Sequence, residues 1–499
     1  MTDVIVIGSG PNGLVSAVTL ARAGLSVLVL ESANEPGGAV RTLETTLPGF
    51  KHDIGAGFFP FGRSSPALVP LELGAAGLAF ENAAIESAHP ARDGSVGAIC
   101  RDLARAEELL GVDGEVFTEL VRFWRGAEAT LLPALLAPFP PIREGLRVPP
   151  SALLRLARVA LSSGRGLAES LFQTEAARRM FPALALHTDV GPDDALGAVV
   201  GFMLGVTATS GGFAVPRGGA GAITRALLTR LKESRGVVIT GERVRRVVVE
   251  GRARAVETAR GRTYDASTGI IAATAAPTLY LELLGPRVVP TPILEQMRSF
   301  KRGFGTFKVD WALDGPVPWT ARACREAAVV HTGESNDDLA RFTREVRAGS
   351  LPRDPYLVLG QQSLVDPSRA PEGKHTLYCY SRVPSEPAGG WSGDARREML
   401  ARIETRIEEL APGFRERILG RAVFAPPDLE RMNENLLGGD LGGGTAAITN
   451  QLLFRPILGY GRRTPIARLY LGSSYAHPGA GVHGMAGLNA ARALLRDAS

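Results

Sequence analysis

At 499 residues, with 45% apolar and 21% charged side chains, the chain is too long for one simple core and is expected to form two or three globular domains, not a disordered polymer. Its net charge of +5 is scattered and nearly all arginine, with no basic run interleaved with aromatics, which argues against nucleic-acid binding. Three distant cysteines (Cys100, Cys324, Cys379) without a C-x-x-C pair, no apolar run of the ~18 residues a membrane span needs, and no visible secretory leader together predict a soluble, cytoplasmic protein.

The chain opens on "VIVI" (4–7), a run of β-branched residues suited to a parallel strand buried on both faces. Gly8, Gly10 and Gly13 follow with G-x-G-x-x-G spacing. A helical pattern then runs through Leu14, Val15, Val18, Leu20 and Ala21, and Gly24 is its natural stop. The second strand, "SVLVLE", ends on Glu31, 18 residues past Gly13. In such a unit Gly8 permits the tight turn, Gly10 lets a pyrophosphate reach bare backbone, and Gly13 lets helix and strand pack closely. Pro11 and Asn12 open the helix whose free N–H groups face the phosphates, and Glu31 accepts hydrogen bonds from a ribose. The competing reading is an ordinary βαβ turn with packing glycines. The strand–turn–helix context and the acid favour a dinucleotide.

Residues 76–204 read as helical. The stretch "LARAEELLGVDGEVFTELVRFWRGAEATLLPALLAPF" has apolar residues at helical spacing, broken by Pro133, Pro138, Pro140 and Pro141. In the next stretch Leu153, Leu156, Ala157 and Ala160 share one side and Arg155 and Arg158 another. A basic amphipathic helix of this kind either rests on a membrane surface or packs on its own domain with its arginines in water. Near residue 218 a turn with Gly218, Gly219 and Gly221 leads into a helix, the short strand "GVVIT", a β-meander and "GIIAATAAP". "GTFKVDWALDGPVPW" (305–319) alternates apolar and polar residues as a half-buried strand would, and residues 355–384 suggest two more strands. The chain closes on a strand, the glycine-rich turn "HPGAGVHG" and a helix beginning near Val482.

Three of these blocks carry a resemblance. Glu31, a spacer, the doublet Gly37-Gly38 and Arg41 continue the first motif as in flavoproteins of the glutathione-reductase-like superfamily, which implies FAD in place of NAD. "HDIGAGFF" (52–59), the 213–277 block and the C-terminal block resemble the phytoene-dehydrogenase-related FAD oxidoreductases of the flavin amine-oxidase superfamily. The segment "ENLLGGDLGGGTAAITNQLLFRP" and the terminus are most similar to the pyridine nucleotide-disulfide oxidoreductase domain-containing protein 2-like subgroup. The resemblance implies an α/β fold. A discontinuous Rossmann-type FAD-binding domain would occupy residues 1–75, 205–289 and 456–499, and a mixed-sheet substrate domain with a helical insertion would occupy 76–204 and 290–455. It also implies that Val244 lays its backbone against adenine, that Gly472 and Ser473 follow the last strand toward the ribityl chain, and that Gly481 and Val482 face the flavin ring. Many relatives carry Gly-Asp where this chain has Gly472-Ser473, which predicts weaker flavin retention. Asp53 is expected to be structural.

For proton transfer the candidates are His483 and His477, in one turn with Tyr475, and Asp440 in "GGDLGGG"; the alternatives are backbone capping for His477 and turn formation for Asp440. His52, His187 and His331 show no ligand spacing, so no metal site is expected. The leading expectation is desaturation, or the reverse saturation, of a hydrophobic isoprenoid- or lipid-like substrate by hydride transfer to flavin N5, with dioxygen or a quinone as electron acceptor. The alternatives are an amine or small-metabolite oxidase, a redox-neutral flavin isomerase, and a non-catalytic flavin-binding partner. No oligomeric state is assigned.

Overall fold

The computed structural model describes residues 2–195 and 197–498. Two seven-stranded sheets organise them. In the first, Thr2–Ile7 lies at the centre, parallel to Val27–Leu30 on one side and to the C-terminal half of Thr263–Ala272 on the other. Val237–Ile239 extends one edge and Leu469–Leu471 the other, both parallel. All of Val4 to Ile7 is buried, as a strand covered on both faces requires. The N-terminal half of Thr263–Ala272 runs instead into the antiparallel meander Val244–Glu250 and Arg252–Thr258. This is the α/β dinucleotide-binding arrangement that the first turn predicts. Its strands come from residues 2–30, 237–272 and 469–471.

Helices close its faces. Pro11–Arg22 follows the first turn, Gly221–Glu233 packs beside it, and Met485–Ala498 crosses it from the far end of the chain. The crossing is intimate: a Cβ on Gly487 would stand 1.9 Å from the Asn12 carbonyl oxygen, so backbone meets backbone there.

The second sheet runs in the order Ile418–Phe424, Gly305–Leu313, His375–Val383, Val358–Gly360, Ala327–His331, Ile85–Pro90, Val96–Ile99. It is antiparallel except where Ala327–His331 meets Ile85–Pro90. Two sequence expectations change here. The segment read as helical begins with a hairpin, 85–99, that completes this sheet. The strand Gly305–Leu313 does alternate, but both faces are buried. Its apolar face packs Trp311 on Phe414, with the indole N–H donating to Glu404. Its polar face is buried as charge against charge. Lys308 Nζ donates to Asp310 Oδ1 (2.5 Å), His52 Nδ1 stands 3.7 Å from the same carboxylate, and the ammonium lies over the Tyr378 ring.

The helical layer includes Gly114–Leu135, Pro150–Ala160, Gly164–Leu171 and Gly197–Ser210. The amphipathic stretch is two helices, and the first buries Ala152 and Val159; of the side the spacing predicts, Leu156 and Ala160 are half-buried and Leu153 and Ala157 are exposed. Leu153, Leu154 and Leu161 are exposed. Among the described residues no helix is long and apolar enough to cross a membrane.

Glycine to alanine inside a helix ordinarily stabilises by about 1 kcal/mol. At Gly487 the sign inverts, because the clash is with backbone that cannot move aside. Gly487→Ala is expected to lower unfolding free energy by about 1–3 kcal/mol in urea titration; a stabilised variant would contradict the crossing.

Candidate active site

The first turn is built as its spacing demands. Gly8 has φ +95°, and a Cβ on Gly13 would lie 2.1 Å from the Gly8 carbonyl oxygen and 3.1 Å from the Ala273 Cβ, so both positions need glycine for backbone and packing. Gly10 differs: its Cβ would meet nothing within 4 Å, because it points into open cavity. Gly10 is also the N-cap of Pro11–Arg22 and no side chain caps that helix, which leaves N–H groups free at the cavity wall. Glu31, at the end of the second strand, accepts from the Ser9 N–H (2.8 Å), the Ser9 hydroxyl (2.6 Å) and the Ala33 N–H (2.9 Å). Arg41 donates to the Gly38 and Met432 carbonyls, which fixes its guanidinium on the rim.

The cavity these groups border has a volume of about 1140 Å3, above the ~300–1,000 Å3 of a usual ligand pocket. Gly8, Gly10, Pro11, Asn12, Gly13, Glu31, Gly38, Arg41 and Val244 line it from one side. Ser473, His477, Gly481 and Val482 line it from the turn near the C-terminus, so both glycine-rich turns open on one space. On its wall Asn12 Oδ1, Thr274 Oγ1 and His477 Nδ1 are buried without a hydrogen-bond partner, the mark of a polar surface shaped for a ligand.

Several expected residues stand elsewhere. Gly37 and Gly472 do not line the cavity. A Cβ on Gly37 would strike Thr224, and one on Gly472 would strike Ile271, so both glycines serve packing. Gly479 is bare to admit Arg455, whose guanidinium carbon would lie 2.4 Å from a Cβ there; Gly481 (φ +110°) is bare for its backbone and for His483. The last helix begins at Met485, not Val482. His483 is fully buried off the cavity wall: its Nδ1 accepts from the Met485 N–H and its Nε2 meets the Ala480 carbonyl. With both ring nitrogens engaged by backbone, His483 caps the helix and is closed to substrate, contrary to the proton-transfer role expected of it. Asp440 does line the cavity, but it accepts from the Gly303, Gly442 and Gly444 N–H groups and so organises its glycine loop. His477 keeps an unpartnered nitrogen at the wall.

Arg455 ties these pieces together. Buried at the cavity wall, it donates to the carbonyls of Gly442 (2.6 Å) and Ser474 (2.9 Å) and to Gln451 Oε1 (2.8 Å). It thereby clamps the glycine loop to the C-terminal turn. Burial lowers its pKa, against the fields of Asp440 and Asp189. Asp53, as expected, is structural: it pairs with Arg369 and accepts from Thr42 Oγ1 (2.7 Å) and the Ala220 N–H (2.8 Å).

A family model described as flavin containing amine oxidoreductase matches residues 12–495. The chain belongs to that family. It is 27% identical to the pyridine nucleotide-disulfide oxidoreductase domain-containing protein 2 of Mus musculus, over 99% of this chain and 93% of that one. It is 28% identical to a phytoene dehydrogenase of Streptomyces griseus, over 85% and 82%. An oxidoreductase from Methanosarcina mazei shares the fold, with a TM-score of 0.63 at 18% identity over 99% and 100% of the two chains. As a member of the flavin amine oxidoreductases, the protein is an FAD-dependent oxidoreductase, and the bare Gly10 backbone, uncapped helix and orphaned wall atoms fit that cofactor.

The opposite wall was not legible in the sequence. Tyr378, Tyr380 and Arg382 project from alternate positions of His375–Val383, and His187 stands beside them. The Tyr380 hydroxyl lies 3.1 Å from His187 Nδ1, and His187 Nε2 lies 2.7 Å from His331 Nε2. Ser87 Oγ then bridges His331 Nδ1 and His89 Nε2, each at 2.9 Å. Burial is the largest cause lowering each histidine: His187 and His89 to about 3, His331 well below its usual value. The only advance signal was the period-2 placement of Tyr378, Tyr380 and Arg382; the histidines are single residues far apart in the chain.

Two outcomes are expected. Gly10→Val places a branched side chain in the open space and is expected to leave a folded but colourless protein, read as the flavin-to-protein absorbance ratio at unchanged circular dichroism. Burial also lowers His52, His477 and His483 to about 4. Histidines with folded pKa values below their unfolded value stay neutral while the unfolded chain takes up protons, so stability is present above about pH 6.5 and is lost as pH falls toward 3–4. Each contributes a slope of about 1.4 kcal/mol per pH unit. Urea midpoints that do not fall from pH 7 to 5 would rule this out, and His52→Gln is expected to shallow the slope by one proton.

Proposed function

We propose that the protein dehydrogenates, or in reverse saturates, a hydrophobic isoprenoid- or lipid-like substrate. The observation that carries this reading is the apolar reach of the 1140 Å3 cavity beyond the glycine turns, walled by Leu135, Leu136, Phe139, Leu156, Met203 and Phe213. The related phytoene dehydrogenase and phytoene desaturase support the same substrate class. In this reading Gly8, Gly10, Pro11, Asn12 and Gly13 hold the pyrophosphate, with Arg41 neutralising charge beside it. Glu31 holds a ribose, Val244 lies against adenine, and Ser473, Gly481 and Val482 border the isoalloxazine. Bound FAD supplies a two-electron hydride acceptor, and dioxygen or a quinone takes the electrons onward. The apolar wall excludes water from the reacting C–H bond, and His477, with its free nitrogen, is the remaining candidate for a proton.

The rim of the cavity supports delivery from a lipid surface. Phe139 and Leu156 line the cavity, and nearby in the chain Ile142, Leu146, Leu154 and Leu161 are 62–90% exposed. Exposed Arg143, Arg147, Arg155 and Arg158 accompany them. Exposed leucines among arginines suit the interface of an anionic bilayer.

Anaerobic titration of the yellow holoenzyme with a panel of polyenes, isoprenoids and amines is expected to bleach the flavin band with an isoprenoid. Bleaching and peroxide release with amines alone would reverse the assignment. In vesicle flotation, the protein is expected to float with phosphatidylglycerol-containing vesicles, and the pair Leu146→Glu and Leu161→Glu to abolish flotation at unchanged flavin content.

A further inference from the structure

The chain of hydrogen bonds behind the substrate wall has a direction, and the direction has a consequence. Tyr380, His187, His331, Ser87 and His89 make four consecutive links of 3.1, 2.7, 2.9 and 2.9 Å. Each link holds one proton, and each neutral imidazole has one N–H and one bare nitrogen. The donors of a neutral chain therefore all point one way, since the mixed arrangement in which Ser87 accepts from both His331 and His89 strands the buried Ser87 O–H without an acceptor. An added proton is opposed by fixed cations at both ends: Arg179 donates to the His89 carbonyl, and Arg382 donates to the His187 carbonyl and lies over the Tyr380 ring.

The far end decides between the two directions. His89 Nδ1 is buried with no partner. If Tyr380 donated into the chain, the last proton would sit on that nitrogen as a buried orphan N–H. If the chain points outward, His89 Nε2 donates to Ser87, Ser87 to His331 Nδ1, His331 Nε2 to His187 Nε2, and His187 Nδ1 to the Tyr380 oxygen. Behind the wall only a bare lone pair is then left unsatisfied, and the one unpaired donor moves to Tyr380; buried orphaned donors are the rarer of the two. The outward direction also frees the Tyr380 O–H for the cavity that Tyr380 lines. Its neighbour Tyr378 has no such freedom, because its hydroxyl donates to the Gly55 carbonyl.

We propose that Tyr380 is the specificity-determining donor of the substrate cavity, its hydroxyl aimed at an oxygen lone pair on an otherwise apolar substrate, with His187, His331, Ser87 and His89 as positioning residues that set its direction. This rests on the hydrophobic-substrate reading and narrows it: the substrate is an oxygen-bearing isoprenoid or lipid, a carbonyl or alcohol compound, in preference to a bare hydrocarbon. A strictly apolar ligand would leave the hydroxyl unpaired in a dry wall, which costs affinity.

The test uses holoenzyme and two probes of matched length, methyl nonyl ketone, which accepts but cannot donate, and undecane. Dissociation constants are read from perturbation of the flavin absorbance in the same cosolvent. Tyr380→Phe is expected to weaken the ketone about 3- to 10-fold, one net hydrogen bond, and to leave undecane within about twofold. His331→Phe, which cuts the chain without touching the cavity wall, is expected to reduce the ketone selectively at unchanged flavin content. A merely structural role would shift both probes together. Equal effects of Tyr380→Phe on the two probes, or none on the ketone, would overturn the proposal and leave the apolar-cavity reading standing; should His331→Phe not fold, Tyr380→Phe decides alone. Failure of both probes to bind the wild-type holoenzyme would overturn the apolar-cavity reading and this proposal together.

Discussion

The contact on which the site depends is the one between Asn12 and Gly487, where the first and last helices cross with no side chain between them. That crossing sets the distance between the two glycine-rich turns. Gly484, one residue before the last helix, makes room for the Val15 side chain of the first helix. On the sheet beneath, Leu469–Leu471 pairs with Thr263–Ala272, which in turn pairs with Thr2–Ile7. A bulkier residue at the crossing would move one turn relative to the other, and the cavity is defined by their separation.

Polarity in this molecule is carried inside, as neutral imidazoles or as paired charge. Burial favours the neutral imidazole at His187, His331, His477 and His483, and the buried Arg455 and Arg369 direct donors to carbonyl oxygens and a carboxylate. Arg455 meets the carbonyls of Gly442 and Ser474, and Arg369 meets Asp53. Charges so placed act as fixed dipoles and clamps that need not reorganise when a ligand enters. The polar face of Gly305–Leu313 follows the same rule, with Lys308 closed on Asp310.

What was legible in the sequence was local. The turn at Gly8 to Gly13, its helix and Glu31 are contiguous, so spacing alone carries their geometry, and the helix Gly221–Glu233 with its meander was read for the same reason. Glycines were harder. Gly10, Gly37, Gly472 and Gly479 look alike in a sequence, but a missing Cβ faces open cavity at the first, a threonine at the second, an isoleucine at the third and an arginine at the fourth. The sequence says that a side chain is missing without saying what fills its place. His483 was misread because a histidine in a turn looks reactive until its two nitrogens are seen to hold backbone. The chain from Tyr380 to His89 was legible only at Tyr380, since its members come from four separate stretches: sheet pairing brings three together, and the turn after the helix Met180–Ala185 adds His187. The helix Pro150–Ala160 buries the unexpected face because its neighbours, not its own spacing, decide which side is inward.

The pairing of Leu469–Leu471 with Thr263–Ala272 also makes the site a product of long-range closure. The Gly8–Gly13 side of the cavity is encoded within the first forty or so residues, but the wall at Gly481 and Val482 and the helix that braces Asn12 lie more than 400 residues further along the chain. Contacts this distant in sequence carry a loop-closure cost and form late. Until that closure the first strand, turn and helix leave half of the cavity open, and the site is complete only once the chain between the two turns has folded.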